Sequence, residues 1–487
     1  MEEGDEPSSI NFVPCIRWIR KGVAKQDPVK IELSKQELTE LVKSTSNKLK
    51  LGEQDEGSDE EENQKGNQVP MSIDDEYDMD NYDNDGDSEL NVGDIAVYSN
   101  DDPYNVNDEP DSDAEDDIIK PNDNLIVVGH VEGYASSLEI YVHNDFEDSL
   151  YVHHDILLPS IPLCIEWLNY DPANVNRSAN LCAVGSMAPI IDVWDIDLVN
   201  CIEPAYKLGK KGSRKKGTPQ VGHKDAVLDL SWNTELTHIL ASGSADKTVI
   251  LWDLENKAPH TTLSAFEEKV QTLVFHPSEA HSLLVGSCDR SNKVFDCRSS
   301  ETYKVWNTEG EVERVVWNRF SPSQFISSDS KGFIYCFDCR QEEPVWKVAA
   351  HTREVTGLVL SSQCPGFLAT ASQDGMYKVW DISGTPEVVS ERNLKIGEIQ
   401  CLETAPDEPF LVASGGDRKN RNMLVFNAID DSAVQQRFRS RELVPEPTIE
   451  GTSAGTSESS KVHAVTKKDR VNSLKVVKKK KEFKKPN

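Results

Sequence analysis

No apolar run in the 487 residues approaches the ~18 needed to cross a bilayer as a helix. The opening, MEEGDEPSS, is acidic and polar, unlike the basic and then apolar start of a signal peptide or the Arg-rich start of a transit peptide. Ten cysteines in a chain of this length, with no such leader, indicate reduced thiols in the cytosol or nucleus and no disulfide framework. A glycine-rich phosphate loop, a G-x-S-x-G elbow and an H-E-x-x-H pair are all missing. Those absences exclude the commoner motif-borne chemistries of phosphate, acyl and zinc-hydrolase sites. The expectation is a chain with no catalytic residues, no cofactor, no metal, no small-molecule substrate and no membrane partner.

Charge is abundant and unevenly placed. The formal net charge is -32. Residues 53–117 hold 26 Asp or Glu against Lys65 alone, whereas residues 461–487 hold 11 Lys or Arg against Asp469 and Glu482. An acidic globular body with one acidic arm and one basic tail follows. The arm has few aromatics and high charge, so disorder is expected there when the protein is alone.

The body repeats itself. Trp252-Asp253 in TVILWDLE is followed by Phe295-Asp296, Phe337-Asp338, Trp380-Asp381 and Phe426-Asn427, at spacings of 43, 42, 43 and 46. Trp194-Asp195 lies 58 upstream, a gap that includes the 14-residue stretch KLGKKGSRKKGTPQ. A second series runs in register: Trp167, Trp232, Phe275, Trp317 and Leu360. Short β-branched and aromatic runs between Gly, Ser, Asp and Asn turns, at a period of ~40–45, are the signature of four-stranded propeller blades.

The turns add chemistry. His223 and Trp252 are 29 apart, as are His351 and Trp380, and an Asp stands seven before the terminal Asp at Asp246, Asp289 and Asp374. Such a set can join into a chain from Asp to His, to a strand hydroxyl (Ser242 or Thr370) and on to Trp. A catalytic Ser–His–Asp triad uses the same residue types. Repetition at blade period marks these groups as structural, because half-buried polar groups must satisfy one another.

These residues resemble a WD-repeat propeller. More narrowly, CIRWIRKGVAK, IKPNDNLIVVGH, YVHHDILLPSIPLCIEWLN, GHKDAVLDLSWN, VERVVWNRFSP and AHTREVTGLVLSSQ are similar to the periodic tryptophan protein 1 family of nucleolar WD-repeat proteins. The likeness covers most of residues 12–427. Ala188 and Lys331 in two turn-Asp slots, His143 in a Trp slot and Asn427 in the last Asp slot depart from the repeat and weaken individual blades. The resemblance implies a non-enzymatic factor of the nucleus and nucleolus, acting in large-subunit precursor assembly and pre-rRNA processing. Its partners would be pre-ribosomal particles: ribosomal proteins, assembly factors and pre-rRNA.

Residues 124–153 supply only three strand-like runs, with His143-Asn144 in the Trp-Asp slot. CIRWI (15–19) superposes on CIEWL (164–168), placing Trp18 in the slot of Trp167. The predicted fold is therefore all-β: a seven-bladed WD-repeat propeller with a long acidic disordered insertion and a basic disordered C-terminal tail. Residues 10–20 form the first strand of blade one. Residues 21–120 are the insertion, with one short helix at about 34–50, where SKQE reads as a capping box. Residues 121–440 are the propeller, with a basic inter-blade loop at 207–220, and 441–487 are the tail. AVQQRF (433–438) is assigned, on a weak pattern, as the outer strand of blade seven.

Candidate binding residues follow from charge. The loop carries Lys207, Lys210, Lys211, Arg214, Lys215 and Lys216 without a single acid, which suits phosphate contact. The tail lysines Lys475, Lys478, Lys479, Lys480, Lys481, Lys484 and Lys485 read as a targeting signal, an RNA arm or both. The acidic arm suits basic proteins, and Ser58 in SDEE fits an acid-directed kinase. Histones are a second class of partner, giving a chromatin or rRNA-transcription regulator as the alternative function. A third reading, a substrate receptor of a cullin-type ubiquitin ligase, rests on Arg298 and Arg340, which end consecutive blades as Asp-x-Arg. CFDC (336–339) has zinc spacing but no second pair, and HHD (153–155) lies on a strand whose neighbours alternate faces; both read as structural.

Overall fold

The computed structural model describes residues 10–31, 118–144, 147, 149–173, 178–212, 217–299 and 303–445. The helix expected at 34–50, the acidic tract, Arg214, Lys215, Lys216 and the tail lysines lie outside the described residues. The described residues, Ile31 apart, belong to one compact unit.

Seven antiparallel sheets make a β-propeller, six of four strands and the last of three. The innermost strands are Asn11–Ile19, Pro162–Leu168, Val227–Trp232, Val270–Phe275, Val312–Trp317, Gly357–Leu360 and Ile399–Thr404. The first six end in or beside a member of the bulky series, the seventh ends in Thr404, and Trp18, Trp167, Trp232, Phe275 and Trp317 are all buried. Burying one large side chain per repeat stabilises the ring by about 1.5–3 kcal/mol each, so the period seen in sequence is a packing period.

Blade one is assembled from two distant pieces of chain. Asn11–Ile19 pairs antiparallel with Asn124–Glu132, Trp18 opposite Ile126 and Ile19 opposite Leu125. Two further strands, Ala135–Asn144 and Ser149–Leu158, complete the sheet. The intervening chain leaves and returns at blade two: Val29–Lys30 pairs in parallel with Leu198–Val199, and the Ile119 amide donates to the Gln26 carbonyl at 2.9 Å.

The ring therefore closes through the first strand. One of its faces packs Val13, Ile16 and Trp18 with Leu411, Ala413, Met423 and Val425 of blade seven. The other puts Cys15 and Ile19 in one cluster with Ile165, Trp167 and Val184 of blade two.

The outer strand expected at 433–438 is instead a helix, Ser432–Phe438. Asp431 caps it by accepting from the Ala433 amide at 2.8 Å. Val434 and Phe438, four residues apart, share the buried face, and Phe438 meets Phe367 and Phe410 edge to face or tilted, at 5.2 and 6.4 Å. Two arginines then tie the segment to buried Asp381, Arg437 at 2.6 Å and Arg441 at 2.7 Å. Among the described residues blade seven has three strands, and the chain that follows them packs on blade six.

Candidate functional site

The Asp–His–hydroxyl–Trp sets assemble in two blades. His223 Nδ1 lies 3.1 Å from Asp246, its Nε2 lies 2.7 Å from Ser242 Oγ, and Trp252 Nε1 donates to the same oxygen at 2.7 Å. Neighbouring Gly222 has φ +91°, and a Cβ there would stand 2.6 Å from the Trp252 ring, so glycine is required. In the other set His351 lies 3.2 Å from Asp374 and 2.8 Å from Thr370, and Trp380 donates to Thr370 at 2.9 Å. Burial opposes the charge on Asp246, but hydrogen bonds from His223, Thr248 and the Lys224 amide outweigh it and hold the carboxyl well below its usual range. Burial likewise keeps the His351 ring below its ordinary value. Ser242 and Thr370 are completely buried. A nucleophile sealed under a Trp N–H has no room for a substrate, so these are struts.

Asp289 behaves differently. It takes Ser291 and Lys293 Nζ, the latter at 3.1 Å, and Lys293 lies over the Phe266 ring. In the blade where Lys331 fills the turn slot, the work passes to Asp329, which accepts from Tyr335 OH at 2.8 Å and from the Gly310 amide at 3.0 Å. Sequence reasoning missed Asp329; the signal was an Asp two positions early with a Tyr six further on. In blade two, with Ala188 in that slot, Trp194 Nε1 is buried without a partner.

The central channel holds the buried charges. Arg17 bridges Glu166 of blade two at 2.6 Å and Glu403 of blade seven at 3.4 Å. Burial pushes the Glu166 carboxyl up, against the pull of Arg17. Glu166 also accepts the Trp232 amide at 3.0 Å, and Asp229 accepts the Leu273 amide at 2.8 Å. Blades two and three thus each satisfy part of the open inner edge of the next blade, which otherwise presents unpaired N–H groups. A cavity of about 240 Å³ lies here, and one of about 330 Å³ lies at the mouth among Trp167, Trp232, Trp317 and Arg319.

No reactive thiol emerges. Burial pushes the Cys336 thiol up to about 12 and Cys339 up to about 11, so both stay protonated near neutral pH. Among the described residues no group of three or more His, Cys, Asp or Glu could hold a metal. His153 and His154 contact one another through Nδ1 at 2.8 Å.

Of the candidate binding residues, Lys207 pairs with Asp192 at 2.9 Å. Lys210 and Val221 exchange two backbone hydrogen bonds, 2.8 and 3.0 Å, forming the neck of the basic loop. Lys210 and Lys211 are exposed on that neck. Arg298 and Arg340 each fork onto their own repeat's Asp: 2.9 and 2.6 Å to Asp296, 2.8 and 2.6 Å to Asp338. The fork holds the Asp296 carboxyl down at about 2. Both arginines face solvent while their acceptors are already spent locally.

Fold and site together define a WD-repeat scaffold: rigid blades, structural polar sets and functional groups carried on loops. The WD domain, G-beta repeat family matches residues 215–253 and 342–381. The chain is 42% identical over 456 residues to the periodic tryptophan protein 1 homolog of Drosophila melanogaster, covering 90% of this chain and 98% of that one. Periodic tryptophan protein 1 of Saccharomyces cerevisiae is 27% identical over 520 residues, covering 88% and 90%. A ribosome biogenesis protein WDR12 homolog from Drosophila pseudoobscura pseudoobscura is 24% identical over 221 residues, covering 43% and 50%. The chain belongs to the periodic tryptophan protein 1 family.

Proposed function

We propose that this protein is a non-enzymatic scaffold of ribosome biogenesis, working in the nucleolus on precursors of the large subunit and on pre-rRNA processing. The propeller docks on the precursor particle. The loop at 207–220 and the lysine tail hold pre-rRNA, and the acidic arm engages basic proteins of the particle. The observation that carries this reading is the loop itself: a run of lysines and arginine without acids, with Lys210 and Val221 joined by two backbone hydrogen bonds, on a chain with a net charge of -32. Against that background a local cluster of positive charge serves a polyanion. Family membership and the ribosome-biogenesis name of one relative support the same direction.

Gradient sedimentation of cell extract provides the test. The protein should co-migrate with large-subunit precursors and shift to light fractions when precursor synthesis is blocked. A protein found only in light fractions in growing cells would end this reading.

A further inference from the structure

We propose that one end of blades seven, one and two is a docking surface for an acidic protein segment that carries large aliphatic side chains. The inference concerns a surface other than the loop at 207–220 and does not depend on RNA binding there.

Strand direction defines the end. Asn11 opens the first inner strand and pairs with Glu132, and Ser136 pairs with Leu158. The turn at 133–134, the end of the fourth strand and Ile161 therefore share one end of blade one. Pro162 pairs with Ser186, which brings the turn of Met187 to the same end, and the Met187 amide donates to the Ile161 carbonyl at 3.0 Å. The Gly133 amide donates to Ile10. On the other side the blade-seven turn joins in: Asn11 Nδ2 donates to the Lys419 carbonyl at 3.1 Å, and Asn422 reaches His130 at 3.1 Å.

What this end exposes is apolar in the middle and basic at the side. Tyr134 is fully open, Leu157 is 72% exposed, Met187 56% and Ile161 38%. Scattered exposed apolar residues need no explanation, but several gathered at one end of neighbouring blades do. Beside them stand Arg418, Lys419 and Arg421. Lys419 and Arg421 make no ion pair among the described residues. On the same face Lys247 is matched by Glu268 and Arg353 by Glu398.

The occupant follows from the chemistry. Aliphatic anchors want aliphatic partners, and unmatched cations beside them want carboxylates at the rim. RNA would use the cations and leave Leu157, Ile161 and Met187 wet.

The test uses the full chain and fluorescein-labelled peptides: one alternating Glu and Asp with Leu and Phe, one with the acids changed to amides, one with Leu and Phe changed to Ser. A short oligouridine is the fourth probe. Anisotropy should report binding of the first peptide and of neither altered peptide, and any oligouridine binding, which belongs to the loop at 207–220 and the tail, should be unchanged by the Leu157 and Met187 changes. Leu157→Ser with Met187→Ser, and separately Lys419→Glu with Arg421→Glu, should each weaken it by roughly tenfold with unchanged thermal stability. Only the second pair should flatten the salt dependence. Equal affinity in wild type and both double variants overturns the proposal. So does preference for the amide peptide, or binding of oligouridine alone that the Leu157 and Met187 changes do not touch. Binding seen only after deletion of residues 1–9 assigns the surface to the chain's own N-terminus and overturns it too.

Discussion

Deleting residues 1–20 should dismantle blade one, although those residues stand more than a hundred positions from their sheet. Val13, Ile16, Trp18 and Ile19 are all 4% exposed or less. At about 1.5–3 kcal/mol each, their burial contributes roughly 6–12 kcal/mol. A compact unfolded chain discounts that by up to ~40%, leaving about 4–10 kcal/mol. Total stabilities of about 5–15 kcal/mol are of the same size. Beyond burial, the deletion strips the ladder partner from Asn124–Glu132 and removes Arg17 from between Glu166 and Glu403. The assay is thermal unfolding of the purified chain, with a second protein in which residues 32–117 are replaced by a short Gly-Ser linker. That replacement touches no strand among the described residues, and shortening the loop stabilises by about 2 kcal/mol through lower closure entropy. The expected result is a Tm lowered by more than about 10 °C, or no cooperative transition, for the first protein, and an equal or higher Tm for the second. A Tm within a degree or two of wild type after losing residues 1–20 would refute the reasoning, whatever the linker protein does.

Other outcomes follow from single contacts. His223→Ala removes one hydrogen-bond partner from buried Ser242 and one from half-buried Asp246 and should cost about 1–3 kcal/mol in urea unfolding, with His351→Ala similar. Phe438→Ala should cost about 3–5 kcal/mol and expose the C-terminal helix to limited proteolysis, while the propeller stays folded by far-UV dichroism. Burial, reinforced by His153, holds His154 down at about 4. As pH falls from 6.5 toward 4 the unfolded chain takes up a proton that the native ring refuses, so stability drops by up to about 3 kcal/mol, and His154→Gln should flatten that part of the pH profile. Lys210→Ala with Lys211→Ala should weaken RNA binding in filter assays, with the log-log salt slope reduced by about 0.7–0.9 per lost phosphate contact.

How much could be read beforehand depended on whether a residue's role was set within its repeat or between repeats. The bulky series and the His223 and His351 sets are fixed inside one blade by a period of 42 to 43, so spacing alone displayed them. The split first blade was legible for the same reason: CIRWI carries the repeat's own spacing into an otherwise isolated segment. Asp329 was not, since its partner Tyr335 breaks the shared register. The closing helix shows a different failure. Val434 and Phe438 stand at i and i+4 behind Asp431, which is a capped helical pattern in plain view. The expectation of a fourth strand, borrowed from six other blades, overrode it.

The channel ions mark where one sequence stops being informative. Arg17, Glu166 and Glu403 occupy the same repeat position, one before Trp18, Trp167 and Thr404 in blades one, two and seven. Their alternation in charge has meaning only once blade one is known to sit between the other two. That arrangement depends on an inner strand supplied from the far side of a long insertion. The same event therefore sets the fold, places a cation between two channel carboxylates and pairs Val29–Lys30 with blade two. Swapping Arg17 and Glu166 should retain more stability than Arg17→Glu alone, because the pair spans one interface and the single change sets a second carboxylate against Glu166, whose side chain is 7% exposed.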